Sequence, residues 1–253
     1  MIMNSMKQLL VVAAVAVSTF VHAQNKKTPA KPADTAPAKT EQPAAAPAPV
    51  VGDLTQHFYK KYATAIQWND YDVAKSALYD LIVENPQNDS LILNLAFYYY
   101  ENQKYASSAL VSQELLARNN KNAAALELSA ASFEGLGVMD RALQNYESLY
   151  LATNNTATLY KMAFIQYQLK RFTECEATAD ILLAKKDIDA QKVSFTDSKN
   201  QAKEYPMKVP VLNLKGMLAQ EAGDKVKAKG FYDQVLVLAP DFQAAKENLA
   251  KLK

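Results

Sequence analysis

Covalent chemistry in this 253-residue chain would have to use Cys175, its single thiol, with one of two histidines, His22 and His57. His22 falls in an apolar N-terminal segment, which leaves His57 as the imidazole of the rest. A cysteine nucleophile needs its base within about 3 Å, so the pair is a dyad only if the fold brings positions 57 and 175 together. One cysteine permits no intrachain disulfide. This inventory also builds neither a histidine cluster nor a multi-cysteine zinc site, and no metal or cofactor is expected. No G-x-S-x-G elbow, Walker loop or Rossmann glycine pattern occurs. The carboxylates are scattered as on solvated helix faces. Residues 51–253 hold 23 Lys+Arg (28 less five upstream) and 24 Asp+Glu (26 less two), a net charge of −1. That balance offers nucleic acid no basic patch.

The elements that must position these residues repeat. In NLKGMLAQEAGDKVKAKGFYDQVLVLAP, Asn213 to Pro240, small residues stand twelve apart at Gly216 and Ala228, with Gly223-Asp224 between them. The spacing returns upstream at Ala163 and Cys175, Ala130 and Ala142, and Ala96 and Ser108. In the first copy the pair is Tyr62 and Ala74, and its first member is large. The second members are separated by 34, 34, 33 and 53 residues. Such a unit is two amphipathic helices that approach closely at the small residues. Asp70-Tyr71, Lys104-Tyr105, Gly137 and Arg171-Phe172 mark the other inter-helix turns. Asn85-Pro86 and Pro240 close second helices, because proline has no N–H to donate. Apolar residues at helical spacing, such as Ala142, Leu143, Tyr146 and Leu149, complete the pattern. Cys175 thus takes a small packing position, where buried cysteine behaves as a small hydrophobe. It stands three units away from His57, which makes a thiol hydrolase the least favoured function.

The spacing, with Gly216, Gly223-Asp224, Ala228, Tyr232 and Pro240 in place, resembles the tetratricopeptide repeat. The last unit and its extension APDFQAAKENL are similar to exported tetratricopeptide proteins of Bacteroidota. The resemblance implies an all-α solenoid of about five helix-turn-helix repeats, at about 55–88, 89–122, 123–155, 156–185 and 209–242. A lysine-rich helix over 243–253 would cap the array, as solenoid ends require. It implies further that first helices line a concave groove. That groove would present Tyr59, Ile66, Leu93, Phe97, Tyr100, Tyr160, Phe164, Tyr167 and Met217, with Glu127 and Glu134 at its middle. Large rigid side chains of this kind suit a peptide or helix with apolar anchors. The alternative is that part of the aromatic stripe belongs to the core. At the positions where chaperone-binding members clamp a C-terminal carboxylate stand Tyr59, Ala63, Asn94, Ala124 and Leu128. Only Asn94 matches, so carboxylate capture by that route is not expected.

The period breaks once, at an insertion of 19 residues spanning about 186–208. Val193 and Phe195 alternate with polar residues there, as do Tyr205 and Met207, on either side of the turn-rich TDSKNQ. Alternation of period two predicts a β-hairpin, with Pro206 confining its second strand to an edge. A disordered loop is the alternative. The edge residues Val193, Phe195, Tyr205 and Met207 form a second candidate recognition surface.

Residues 1–23 read as a secretory signal peptide: Lys7, then the apolar run Leu9 to Val21, then the small-x-small close Val21-His22-Ala23. A retained anchor is the alternative. Residues 24–50 hold six of the ten prolines and eight alanines, a composition that predicts an extended linker. The sequence therefore predicts an exported, periplasmic, non-enzymatic scaffold that binds a protein or peptide, without an integral membrane segment after signal cleavage. Self-association into a homo-oligomer is the second reading.

Overall fold

The computed structural model describes residues 51–196 and 202–252. The expected signal peptide, the linker and the tip of the expected hairpin lie outside the described residues. Among the described residues, eleven helices and one antiparallel hairpin follow in order. Five helix pairs form units 1 to 5. They are α1 (Val51–Gln67) with α2 (Tyr71–Glu84), α3 (Asp89–Glu101) with α4 (Tyr105–Arg118), α5 (Ala123–Gly135) with α6 (Met139–Thr153), α7 (Thr156–Gln168) with α8 (Phe172–Ala184), and α9 (Lys208–Glu221) with α10 (Lys225–Leu238). The strands β1 (Lys192–Thr196) and β2 (Ala202–Pro206) separate the last two units, and α11 (Gln243–Lys251) closes the array. The fold is an all-α solenoid with one minor hairpin, as the sequence pattern predicts.

Each unit turns on the same backbone device. One residue in the left-handed region precedes every second helix: Asn69 (φ 57°), Gln103 (57°), Gly137 (74°), Lys170 (59°) and Gly223 (79°). Its N–H and the next one reach back to the first helix in a Schellman pair. In unit 1 these are Asn69 N to Ile66 O at 3.1 Å and Asp70 N to Ala65 O at 2.8 Å. In unit 5 they are Gly223 N to Gln220 O at 3.0 Å and Asp224 N to Ala219 O at 2.9 Å. Two bonds satisfy carbonyls the helix end would leave open. The following residue then caps the second helix, and Asp70 and Asp224 do so with their carboxylates, accepting from Val73 N and Lys227 N. Asn88, Asn122 and Asn155 cap the first helices of units 2, 3 and 4 in the same manner.

Packing follows from these turns. The small residues Ala74, Ala96, Ser108, Ala130, Ala142, Ala163, Cys175, Gly216 and Ala228 are all buried. Seven residues after each unit's second small residue stands a buried aliphatic: Leu81, Leu115, Leu149, Leu182 and Val235. Full burial of such a side chain stabilises by roughly 1.5–3 kcal/mol, so each unit gains an anchor of that size at the same place. Gly216 shows why its position must be small. A Cβ added there would lie under 3.0 Å from three ring atoms of Tyr232, itself fully buried.

The insertion starts as an ordinary inter-unit turn. Ile188 N bonds Lys185 O (3.3 Å), as Asn88 does to Asn85, Asn122 to Asn119 and Phe242 to Ala239. At those other sites a first helix begins at once. At Ile188 the chain leaves instead, and Met207, nineteen residues on, becomes the residue before α9. Ile188 and Met207 are both buried in the same cluster, and Met207 N closes the excursion on Gln191 O at 2.8 Å. In the hairpin Val193 pairs with Tyr205 and Phe195 with Lys203. Phe195 and Tyr205 set their rings edge-on against Phe242, at 5.2 and 5.1 Å, and Lys203 pairs with the neighbouring Asp241. The hairpin is thereby tied to the turn between unit 5 and α11.

Candidate functional site

The expected aromatic and apolar side chains stand on the first helices α1, α3, α7 and α9, and they differ in freedom. On α1, Tyr59 is 43% exposed and Ile66 is half-buried. On α3, Phe97 is half-buried, Leu93 packs against Ile92, Leu115 and Ala125, and Tyr100 tilts against Tyr105 at 5.6 Å between rings. Burial raises the pKa of the Tyr100 phenol, so it remains a neutral donor.

The C-terminal half of the row is more committed. Tyr160 and Phe164 stack at 4.6 Å and pack, with Tyr167, against the large central core. Burial raises the Tyr160 phenol. Tyr167 donates to Glu221 Oε1 at 3.2 Å, and burial with that neighbouring carboxylate pushes it up to about 12. Met217 is half-buried on α9 beside Asn213, whose Nδ2 reaches its sulfur at 3.4 Å. The alternative weighed from the sequence, that part of the stripe is core, describes this half.

The two glutamates of α5 differ as well. Glu134 is fixed: Tyr146 donates to it at 2.9 Å and Lys161 at 2.9 Å. Glu127, two turns away, has no hydrogen bond or ion pair among the described residues. Partial burial alone raises its pKa. The sequence reading placed both glutamates but not the Tyr146 and Lys161 that occupy one of them. The signal was available, because Tyr146 follows Glu134 by the same twelve residues that separate Gln220 from Tyr232, a second bonded pair at 3.1 Å.

The apolar side chains expected at the hairpin edge face inward. Tyr205 and Met207 are 7% and 3% exposed, and Val193 and Phe195 are half-buried. Met207 belongs to the start of α9 rather than to the strand.

No catalytic dyad forms from Cys175 and His57. Cys175 is fully buried on α8, donates to Ala163 O at 3.1 Å, and burial pushes its thiol up to about 12. A thiolate is the nucleophilic form, and this site opposes it. His57 is exposed on α1, with its ring edge-on to Phe58 at 5.5 Å. Among the described residues no group of three or more His, Cys, Asp and Glu side chains is placed to hold a metal, and no helix is long and apolar enough to cross a membrane. What the first helices offer instead is partly free aromatic surface at Tyr59, Phe97 and Tyr100 and the carboxylate of Glu127.

No family model matches the chain, and no curated protein sequence matches it. Solved structures do. A tetratricopeptide repeat protein from Parabacteroides merdae is 18% identical, with 79% of this chain and 73% of that one covered and a TM-score of 0.59. YrrB, described as a tetratricopeptide protein with an unusual peptide-binding site, is 11% identical over 77% of this chain and 90% of its own, at a TM-score of 0.60. MamA from Desulfovibrio magneticus is 10% identical over 76% and 99%, at 0.57. At such identities the likeness is one of fold, and it agrees with the turns and buried rows described above: the chain has the tetratricopeptide-repeat fold.

Proposed function

We propose that the protein is an exported, non-enzymatic interaction scaffold of a bacterial envelope, holding a protein or peptide partner along the face of its first helices. One observation carries the reading. Tyr59 on α1 and Phe97 and Tyr100 on α3 keep part of their surface free, and Glu127 on α5 is a carboxylate without a partner among the described residues. Aromatic anchors next to a charge are the composition of binding hot spots, and a solenoid offers them as an extended row. The peptide-binding site named for YrrB supports this use of the fold. Export, to the periplasm, rests on the pattern of residues 1–23.

The test is capture of envelope proteins on the immobilised full chain. Replacing Tyr59→Ala together with Phe97→Ala, two side chains with free surface, should reduce capture of the specific partner about tenfold while circular dichroism stays unchanged. Undiminished capture by the folded double variant would sink the groove. Export is checked separately, by whether the mature protein begins at Gln24.

A further inference from the structure

Unit 1 carries a second surface, independent of the groove. In every later unit, the first helix turns a strip of side chains toward the preceding unit, and that strip is buried: Leu91 and Leu95, Ala125 and Ser129, Thr158 and Met162, Val211 and Lys215. In unit 1 the same places hold His57 and Lys61, exposed and half-buried. With Lys60, Thr64, Trp68 and Val73 they line an open hollow of about 450 Å³. Among the described residues no helix lies there. A purely solubilising end would be polar throughout, yet Trp68 is 74% exposed and Val73 40%.

The molecule itself shows what covers such a strip. Lys61 and Lys215 hold the same place, each thirteen residues before its unit's buried alanine, Ala74 or Ala228. Lys215 is covered by α8, whose Asp180 and Glu176 meet its Nζ at 2.5 and 3.5 Å. These two carboxylates stand one helical turn apart. Lys61, with no such neighbour among the described residues, reaches Asp80 of its own unit at 3.2 Å. Residues 25–50 hold four lysines against Asp34 and Glu41, so their charge does not complement this face.

We propose that the open face of α1 and α2 is a seat for an acidic amphipathic helix of a partner polypeptide. That helix would take the place of a preceding second helix, with two carboxylates one turn apart on Lys60 and Lys61 and its apolar side on Trp68 and Val73. Trp68 is the chain's single tryptophan, so its emission reports the seat directly. The probe is a peptide of the α8 sequence, Phe172–Ala184, with Cys175→Ala and a side-chain staple across the exposed positions 173 and 177. Titrated into the full chain, it should give a saturable blue shift of Trp68. A peptide that also carries Glu176→Gln and Asp180→Asn should bind about tenfold more weakly. The full chain with Lys61→Glu, or separately Lys60→Glu, should lose affinity to a similar degree while its helical signal is retained.

No shift at millimolar peptide, or a shift indifferent to the carboxylates and to both lysines, would overturn the proposal. So would a Trp68 emission already blue-shifted in the unliganded full chain and unmoved by peptide, which would assign the seat to the chain's own N-terminal residues. A shift that grows with protein concentration alone would assign the seat to a second copy, and would overturn it equally.

Discussion

Lys61 and Lys215 occupy one position of the repeat at opposite ends of the array, and they keep different company. Around Lys215 the strip is closed: α8 supplies Asp180 and Glu176, Phe231 lies 5.6 Å under the ammonium, and 9% of the side chain remains exposed. Around Lys61 no described helix covers the strip, and 36% of the side chain is exposed. A repeat position therefore has no fixed energetic meaning. The same lysine is a bolt between units at one end and part of a receptive surface at the other.

The largest effect should come from disturbing the closed end at its tightest contact. Gly216→Ala forces a Cβ against the buried ring of Tyr232, and overpacking of this kind costs about 1–3 kcal/mol. We expect the upper part of that range in urea unfolding, because Tyr232 is also held by Gln220. Next in size is the lysine comparison itself. Lys215→Met strands Asp180 and Glu176, but both are about half exposed, so solvent screens the loss and the cost should be about 1–2 kcal/mol. Lys61→Met should change stability by less than about 0.5 kcal/mol. Equal costs at the two sites would dissolve the contrast.

Smaller effects lie in the turns. Gln103 and Lys170 adopt positive φ without being glycine. The left-handed conformation costs such residues about 1–2 kcal/mol, and glycine returns part of that as chain entropy, about 0.5–1 kcal/mol. Gln103→Gly and Lys170→Gly should each therefore stabilise by roughly 0.5 kcal/mol, whereas Gly223→Ala should destabilise. The last test is of pH. Burial raises the Cys175 thiol from 9.0 to about 12 in the folded protein, so the unfolded chain loses that proton first. The stabilisation is complete below pH 9 and lost as pH rises toward 12. Cys175→Ala should flatten stability between those values relative to the parent; identical pH profiles would show the thiol is not buried as described.

Much of the fold was legible because packing demands small residues at a fixed spacing. Ala142, Ala228 and Cys175 expose the period even where the turns do not. The turns themselves were only partly legible. Two of the five left-handed residues that precede second helices are glycine, and Asn69, Gln103 and Lys170 carry no comparable mark in the sequence, since the Schellman bonds that hold them are made by backbone. The strands of the insertion showed in the alternation of Val193, Phe195 and Tyr205. The destination of that face did not, because Phe242 lies 37 residues beyond Tyr205 and its role depends on tertiary contact. For the expected groove residues the sequence indicated the helices that carry them but gave no measure of their freedom. Phe164 and Tyr167 are drawn into the core by Tyr160 and Phe172, whereas Tyr59 has no such neighbour, and only packing distinguishes them. The equivalence of Lys61 and Lys215 becomes visible once the period is known; that one is covered and the other open does not.

Whether a partner is held on the first-helix face is best decided by photo-cross-linking in intact cells. A photoreactive residue is placed at Tyr59 in one strain and at Leu151, 86% exposed on the second helix of unit 3, in another. The expected result is a discrete adduct from position 59, identifiable by mass spectrometry and absent from position 151. The same adducts from both positions, or none from position 59, would contradict a partner seated on that face.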